Sequence, residues 1–141
     1  MSRPPSSQNL PLIRARIAPL GYLRAGAPAS RSQDVLLLVD TGASSSCIAN
    51  DIALDLGLDL HSRDVVTTPG GITQLSFYMA DIGIQPTDGA TFQRHDVLVG
   101  GSLGTTPDYH GLLGRDLLAH YHFEMTQCAG YQLLPPPLPR R

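Results

Sequence analysis

The stretch Val35–Leu36–Leu37–Leu38–Val39–Asp40–Thr41–Gly42–Ala43–Ser44 constrains this chain more than any other. Five consecutive apolar residues, closing on a β-branched valine, predict a strand buried on both faces. A carboxylate, a hydroxyl and a glycine follow directly, so core chemistry gives way at once to the chemistry of a site. Gly42 supplies the backbone freedom of a tight turn and leaves no side chain to block a ligand. The residues from Ala43 to Ser46 are small, so whatever approaches Asp40 meets little steric resistance. A carboxylate brought to such a turn by an interior strand is firmly placed and poorly solvated, as a catalytic acid or base must be. Alone, Asp-Thr-Gly is also ordinary strand-to-turn chemistry.

The rest of the composition favours short strands joined by many turns. Among 141 residues there are 14 Gly and 12 Pro but no Trp, which fits a single all-β domain better than a helical bundle. The net charge of -2 and the lack of a basic run before the extreme C-terminus argue against nucleic acid as a partner. Every cationic side chain is Arg, which together with abundant Ala, Gly and Pro suggests a GC-rich, bacterial genome. No apolar run follows the N-terminus, so neither a signal peptide nor a membrane span is expected, and the cytoplasm is the expected location. Cys47 and Cys128 are then expected to be buried or free thiols rather than a disulfide.

Read in order, residues 1–11 are polar and Pro-rich and are expected to form a disordered tail. Leu12–Ile17 alternates as a strand, with Tyr22–Ala25 as its expected hairpin partner. Cys47–Asn50 leaves the Asp40 turn as a short strand. Asp51–Gly57 predicts a helix, N-capped by Asn50 and closed by Gly57. Val65–Ala80 is β-rich on both sides of Pro69–Gly70–Gly71, the signature of a hairpin with a flexible tip. Asp81–Ile84 continues as a strand and Thr91–Val99 forms another. His120–Thr126 and Tyr131–Leu134 predict a terminal hairpin, and 135–141 a solvated, extended Pro-rich tail. The domain proper is thus expected over 12–134.

A second element changes the weight of the first. Tyr109–His110–Gly111–Leu112–Leu113–Gly114–Arg115–Asp116–Leu117–Leu118 reads as an apolar pair, a glycine and a short helix carrying Arg. Together the two segments resemble the retroviral-type (retropepsin) aspartic proteases. There an apolar strand enters Asp-Thr-Gly-Ala or Asp-Thr-Gly-Ser, and a later apolar pair precedes Gly-Arg-Asn or Gly-Arg-Asp and a leucine-rich helical turn. The resemblance spans roughly Leu12 to Leu134. It implies a closed acid-protease barrel with a flap hairpin and one or two short helices, and aspartic endopeptidase activity without a cofactor or metal. It makes Asp40 catalytic, with Thr41, Gly42, Ala43, Gly114 and Arg115 in support of the active site. Gly42 and the flap-tip residues Gly70 and Gly71 would expose backbone groups to a peptide or protein substrate. Ile72, Val99 and Leu112 would line its side-chain pockets, although the same residues suit a plain core.

Peptide hydrolysis by this route needs two carboxylates sharing one proton, one acting as base toward a water and the other as acid toward the scissile carbonyl. The sequence holds one Asp-Thr-Gly. A twofold homodimer would supply the second, because an isologous interface sets each axial residue beside its own copy. Two departures from the viral pattern stand out. Ser44 replaces an acidic residue that pairs with the helix Arg, which leaves the partner of Arg115 open. The viral dimer is sealed by interleaved terminal strands, whereas this chain ends in a hairpin and a polyproline tail. The alternative reading is a catalytically silent dimer of the same fold that binds peptides or acts as a scaffold; a protease that mainly cuts its own Pro-rich ends is a third. His95, His110, His120 and His122, with Cys128 close to the last two, form no compact ligand motif, so no metal site is expected.

Overall fold

Ile13, Ala15 and Ile17 alternate with Arg14 and Arg16, and the first strand, β1 (Leu12–Pro19), buries the former and exposes the latter. The computed structural model describes residues 10–23, 31–102, 108–126 and 130–135. The expected tails therefore lie almost wholly outside the described residues, as does Cys128. Strand β2 (Gln33–Val39) is followed by β3 (Cys47–Ala49), helix α1 (Asn50–Leu56), and strands β4 (Asp59–Thr68) and β5 (Gly71–Ile84). Strands β6 (Gln93–Ser102) and β7 (Gly111–Leu113), helix α2 (Arg115–Leu118), and strands β8 (His122–Thr126) and β9 (Gly130–Leu134) complete the chain.

Strands β1, β2, β7, β3, β6 and β5 pair in that order, and β5 returns to β1, so six strands close into a barrel. Closure removes the unpaired sheet edges that invite association. Strand β4 pairs only with β5 and stands outside the ring. The two halves of β5 explain this. Its first half carries Thr73, Gln74 and Ser76 and is largely exposed, whereas Ala80, Ile82 and Ile84 are buried in the barrel. The β4–β5 hairpin therefore projects from the barrel with Pro69 and Gly70 at its tip, as the sequence predicts. The core is built from inward residues of every barrel strand, among them Ile13, Leu37, Ile48, Ile82, Val99 and Leu113.

Several local expectations need correcting. Strand β2 is not buried on both faces: Val35, Leu37 and Val39 are buried while Leu36 and Leu38 are half-buried. A barrel strand has one inner face, and an unbroken apolar run conceals that alternation. Strand β1 does not form a hairpin with the segment after Pro19, because its two edges are taken by β2 and β5. Tyr22 closes a turn onto Pro19, and the Leu23 amide donates to Asp81 Oδ2 at 3.1 Å; residues 24 and 25 lie outside the described residues. Asn50 does not cap α1. Ala49 occupies that position without a side-chain bond, and Asn50 Oδ1 instead accepts the Tyr78 hydroxyl at 2.9 Å. Burying the Tyr78 ring requires such a partner. Gly57 does close α1, at φ 66°.

The terminal hairpin β8–β9 forms its own two-stranded sheet and is fastened to the barrel through β9. Leu133 is fully buried; its carbonyl accepts the Thr87 amide at 2.8 Å and its amide donates to Thr87 Oγ1 at 2.9 Å. The Tyr131 hydroxyl donates to the Leu12 carbonyl at 2.9 Å. On the opposite flank, the Tyr121 hydroxyl meets Nε2 of His95 on β6, whose ring also lies against His120 with centroids 5.1 Å apart. Burial, aided by His120 and Arg94 and opposed by Asp96, lowers the His95 pKa; burial also raises that of the Tyr121 phenol. Both groups are therefore held in their neutral forms.

Two outcomes follow from this framework. Strand β7 passes so close to β3 that a Cβ on Gly111 would lie 2.1 Å from the Cys47 carbonyl oxygen. Gly111→Ala is expected to destabilise the protein by about 3 kcal/mol or more, measurable as a lower midpoint in urea. For His95, a folded-state pKa below the unfolded value of about 6.5 means that the unfolded chain binds the extra proton first. Its contribution is therefore present above that value and is lost as pH falls through it. The drop in urea midpoint between pH 7 and pH 5 should be smaller in His95→Phe than in the parent.

Candidate active site

Asp40 follows directly on the parallel pairing of β2 with β7. Val39 registers with Leu113, and the Asp40 amide then donates to the Leu113 carbonyl at 3.0 Å, so the backbone is held up to the carboxylate itself. The chain turns there. The Ala43 amide donates to the Asp40 carbonyl at 3.1 Å, and the Gly42 amide donates to Asp40 Oδ1 at 2.9 Å. A Cβ on Gly42 would come within 3.3 Å of that same oxygen. One carboxylate oxygen is thus fixed by the backbone of its own turn, while the half-buried residue faces a groove. Asp40 is half-buried, and so less shielded from water than its interior strand suggests.

The segment after the turn is locked to α2 by a polar cluster that the local sequence does not announce. Ser46 is 1% exposed. Its amide donates to the Asp116 carboxylate at 3.0 Å, its hydroxyl donates to Asp116 Oδ1 at 2.7 Å, and the Gly114 amide donates back to Ser46 Oγ at 2.9 Å. The Leu117 amide also reaches Asp116 Oδ1, at 2.8 Å. The Arg115 amide donates to the Ala43 carbonyl at 2.8 Å. A Cβ on Gly114 would lie 2.7 Å from the Ser45 carbonyl carbon, so only glycine lets the helix approach this closely. Asp116 therefore binds the Asp40 loop and does not serve Arg115, whose exposed guanidinium makes no ion pair with the described residues.

The groove encloses about 480 Å³ between the Asp40 turn and the β4–β5 hairpin. Val66, Pro69, Leu75 and Phe77 of the hairpin form one wall; Cys47, Gly100 and Leu112 form the other. Burial, assisted by the Asp40 and Asp116 carboxylates and opposed by a backbone bond with Leu112, raises the Cys47 pKa, so the thiol stays protonated. Asp40 is then the one charged side chain among the described residues lining the groove. A single carboxylate can take a proton from water, but it cannot in the same step donate one to the carbonyl oxygen under attack.

The structure brings Asp40, Gly42 and Ala43 together with the backbone of Gly114 and Arg115, and places Leu112 on the groove wall. Thr41 lies exposed on the turn. Gly70 and Gly71 sit at the hairpin tip, away from the groove lining, and Gly71 has φ 118°. Ile72 is 77% exposed, and Val99 lies in the core at 1% exposure rather than on the groove wall. The resemblance marks Asp116 as structural, but its partner Ser46 is the residue that sequence reasoning missed, since the two pair across 70 positions. The histidines are engaged elsewhere: His110 Nδ1 accepts the Leu36 amide at 2.8 Å, and His95 meets Tyr121. Among the described residues no group of three or more His, Cys, Asp or Glu side chains is placed to hold a metal ion.

Residues 29–117 match the family model described as aspartyl protease. Among solved structures, a retropepsin-like aspartic protease from Rickettsia conorii superposes with a TM-score of 0.53 at 21% identity, covering 92% of each chain. That likeness establishes a retropepsin-like fold. A comparison with curated proteins returns no match.

The Ser46 cluster can be tested directly. Ser46→Ala strands the buried Gly114 amide and removes one of the bonds to Asp116, at an expected cost of about 1–3 kcal/mol. Chemical denaturation should show this loss, and a control Ser44→Ala, at an exposed position, should stay within about 0.5 kcal/mol of the parent.

Proposed function

The chain belongs to the aspartyl protease family, and on that footing we propose that it is a homodimeric aspartic endopeptidase with one active site per dimer. The observation that carries this reading is Asp40 itself. It is held by the Gly42 amide at the end of a barrel strand, opens into a groove, and has no second carboxylate among the described residues lining that groove. A second copy related by a twofold axis supplies the missing one. Thr41, which is exposed on the turn, would in this dimer hydrogen-bond to its counterpart beneath the paired carboxylates.

In the proposed cycle the two Asp40 carboxyls share one proton, since like charges at close range do not both ionise. The ionised Asp40 takes a proton from a water held between the pair, and the water oxygen attacks the peptide carbonyl carbon. The protonated Asp40 of the other copy gives its proton to the carbonyl oxygen, forming a tetrahedral diol. Transfer of a proton to the amide nitrogen and cleavage of the C–N bond release an acid and an amine, and the dyad again holds one proton. The peptide lies extended, bonded through its backbone in the manner of an added strand. The β4–β5 hairpin acts as a flap, with Gly70 and Gly71 allowing its tip to close over the substrate. Cys47 is a free thiol, as a reducing, cytoplasmic setting would keep it.

Asp40→Asn is expected to lower peptide cleavage by about a thousandfold or more while leaving the dimer and the fold intact. Cleavage of a peptide library, with and without pepstatin, should be measured beside sedimentation of the parent and the variant. Activity retained by the variant, or an active monomer, would overturn this reading. Intact peptides at every pH would leave a peptide-binding dimer instead.

A further inference from the structure

The outer face of the barrel carries another cleft, of about 420 Å³, which Asp40 does not line. Strand pairing builds it from segments far apart in the chain. Arg14 on β1 registers with Leu36 on β2, the Gln85 amide donates to the Arg14 carbonyl at 3.0 Å, and the His110 amide donates to the Leu36 carbonyl at 2.8 Å. Gln85, Arg14, Leu36 and His110 thus form one row across the sheet. In the next row Gly83 registers with Arg16 and Arg16 with Asp34. A Cβ on Gly83 would lie 3.3 Å from Phe92 Cδ1, so glycine seats that ring on this row, with the Arg16 guanidinium 5.1 Å from its centroid.

The polar groups lining the cleft are unequally used. Arg16 is paired with Asp34, Nε to Oδ1 at 2.8 Å, so those two charges offset each other. Arg14 has no ion pair among the described residues, which leaves one uncompensated positive charge. His110 Nδ1 accepts the Leu36 amide at 2.8 Å, so the proton of the neutral imidazole is on Nε2, and that edge of the ring is a donor. The Gln85 carboxamide adds two N–H donors. One cation, these neutral donors and the half-buried Phe92 ring together match a ligand with a planar, singly charged head and an apolar body. A guanidinium fork takes a carboxylate through two parallel bonds. A doubly charged phosphate would bring a second charge with no cation left to meet it.

We propose that this cleft is a binding site for a carboxylate carried on an aromatic or bulky apolar group. Arg14 holds the head, Gln85 and His110 donate to it, and Phe92 packs against the body. The site stands apart from the groove at Asp40 and does not depend on the protease reading. His110 clamps Leu36 through both its amide and its ring, so an acceptor on Nε2–H makes Nδ1 a better acceptor and tightens the β2–β7 pair that carries Asp40. A ligand that binds only the folded chain also raises its thermal midpoint.

The test titrates the full chain with 3-phenylpropionate, its uncharged amide, propionate and inorganic phosphate, read by ligand-observed NMR and by the thermal midpoint. The aromatic acid should bind with a Kd of about 1 mM and raise the midpoint. Its amide and propionate should each bind about tenfold or more weakly. Arg14→Gln should weaken the acid by about tenfold or more, and Arg14→Lys, which keeps the charge without the fork, by less. Arg63→Gln removes an exposed arginine from β4 and should leave binding unchanged within twofold. Equal binding of the acid and its amide, tighter binding of phosphate than of the acid, or equal losses in Arg14→Gln and Arg63→Gln would each overturn the proposal. A blocked Gly-Glu-Phe-Gly peptide separates the two sources of such a carboxylate. Displacement of the acid by this peptide supports the site as one for an acidic side chain of a protein partner, whereas binding of the free acid alone supports it as one for a small organic acid.

Discussion

The pairing of β2 with β7, two short strands drawn from distant parts of the chain, is the constraint on which the rest of the molecule depends. Parallel neighbours cannot be joined by a tight turn, so β3, α1 and the β4–β6 meander all lie between them in sequence. Strand β7 is held between β2 and β3 with so little clearance that Gly111 has no room for a side chain. That closeness puts the Leu113 carbonyl within reach of the Asp40 amide, and it sets Gly114 against Ser45. Loosening these contacts would loosen the carboxylate, whose turn is tethered across the fold by the Asp40–Leu113, Ala43–Arg115 and Ser46–Asp116 bonds.

Much of this could be read in the sequence, for identifiable reasons. The strand-rich class and the two hairpins follow from strands punctuated by Gly and Pro, which act locally, whereas the closed barrel was implied by the family resemblance. The helix end at Gly57 was equally local, since the left-handed backbone there is one that glycine adopts freely. Partnerships that cross the fold left weaker traces. Asn50 stands where a helix cap is expected, yet its amide is recruited by Tyr78 on another strand. Leu12–Pro19 looked like half of a hairpin, but its neighbours are β2 and β5, and no local signal distinguishes those from the segment after Pro19. Val99 and Leu112 are both apolar residues of strands near the site. Only the strand's orientation in the barrel decides that one is core and the other groove wall.

The replacement of an acidic residue by Ser44 takes on meaning beside the Ser46 cluster. In the pattern that the sequence resembles, an ion pair ties the Asp-Thr-Gly loop to the helix Arg. Here the same two segments are joined by a serine hydroxyl, two amides and one carboxylate, with Ser46 almost wholly buried. A fully satisfied neutral-to-charged network fixes geometry well in a low-dielectric setting. It also engages Asp116, the other carboxylate beside the turn among the described residues, and it leaves the Arg115 guanidinium exposed.

With Asp116 engaged and the Cys47 thiol protonated, the described residues lining the groove would offer a peptide one carboxylate, Asp40, and otherwise hydroxyl, backbone and apolar surface. Backbone bonding alone is indifferent to peptide sequence, so discrimination in such a groove has to come from shape. Phe77 and Leu75 lie on the half of β5 that leaves the barrel, and Gly100 and Cys47 lie on strands that stay within it. Movement of the β4–β5 hairpin relative to the barrel would therefore reshape the groove at the same time as it covers Asp40. In such a mechanism, side-chain recognition and the exclusion of water from the carboxylates would arise from a single motion.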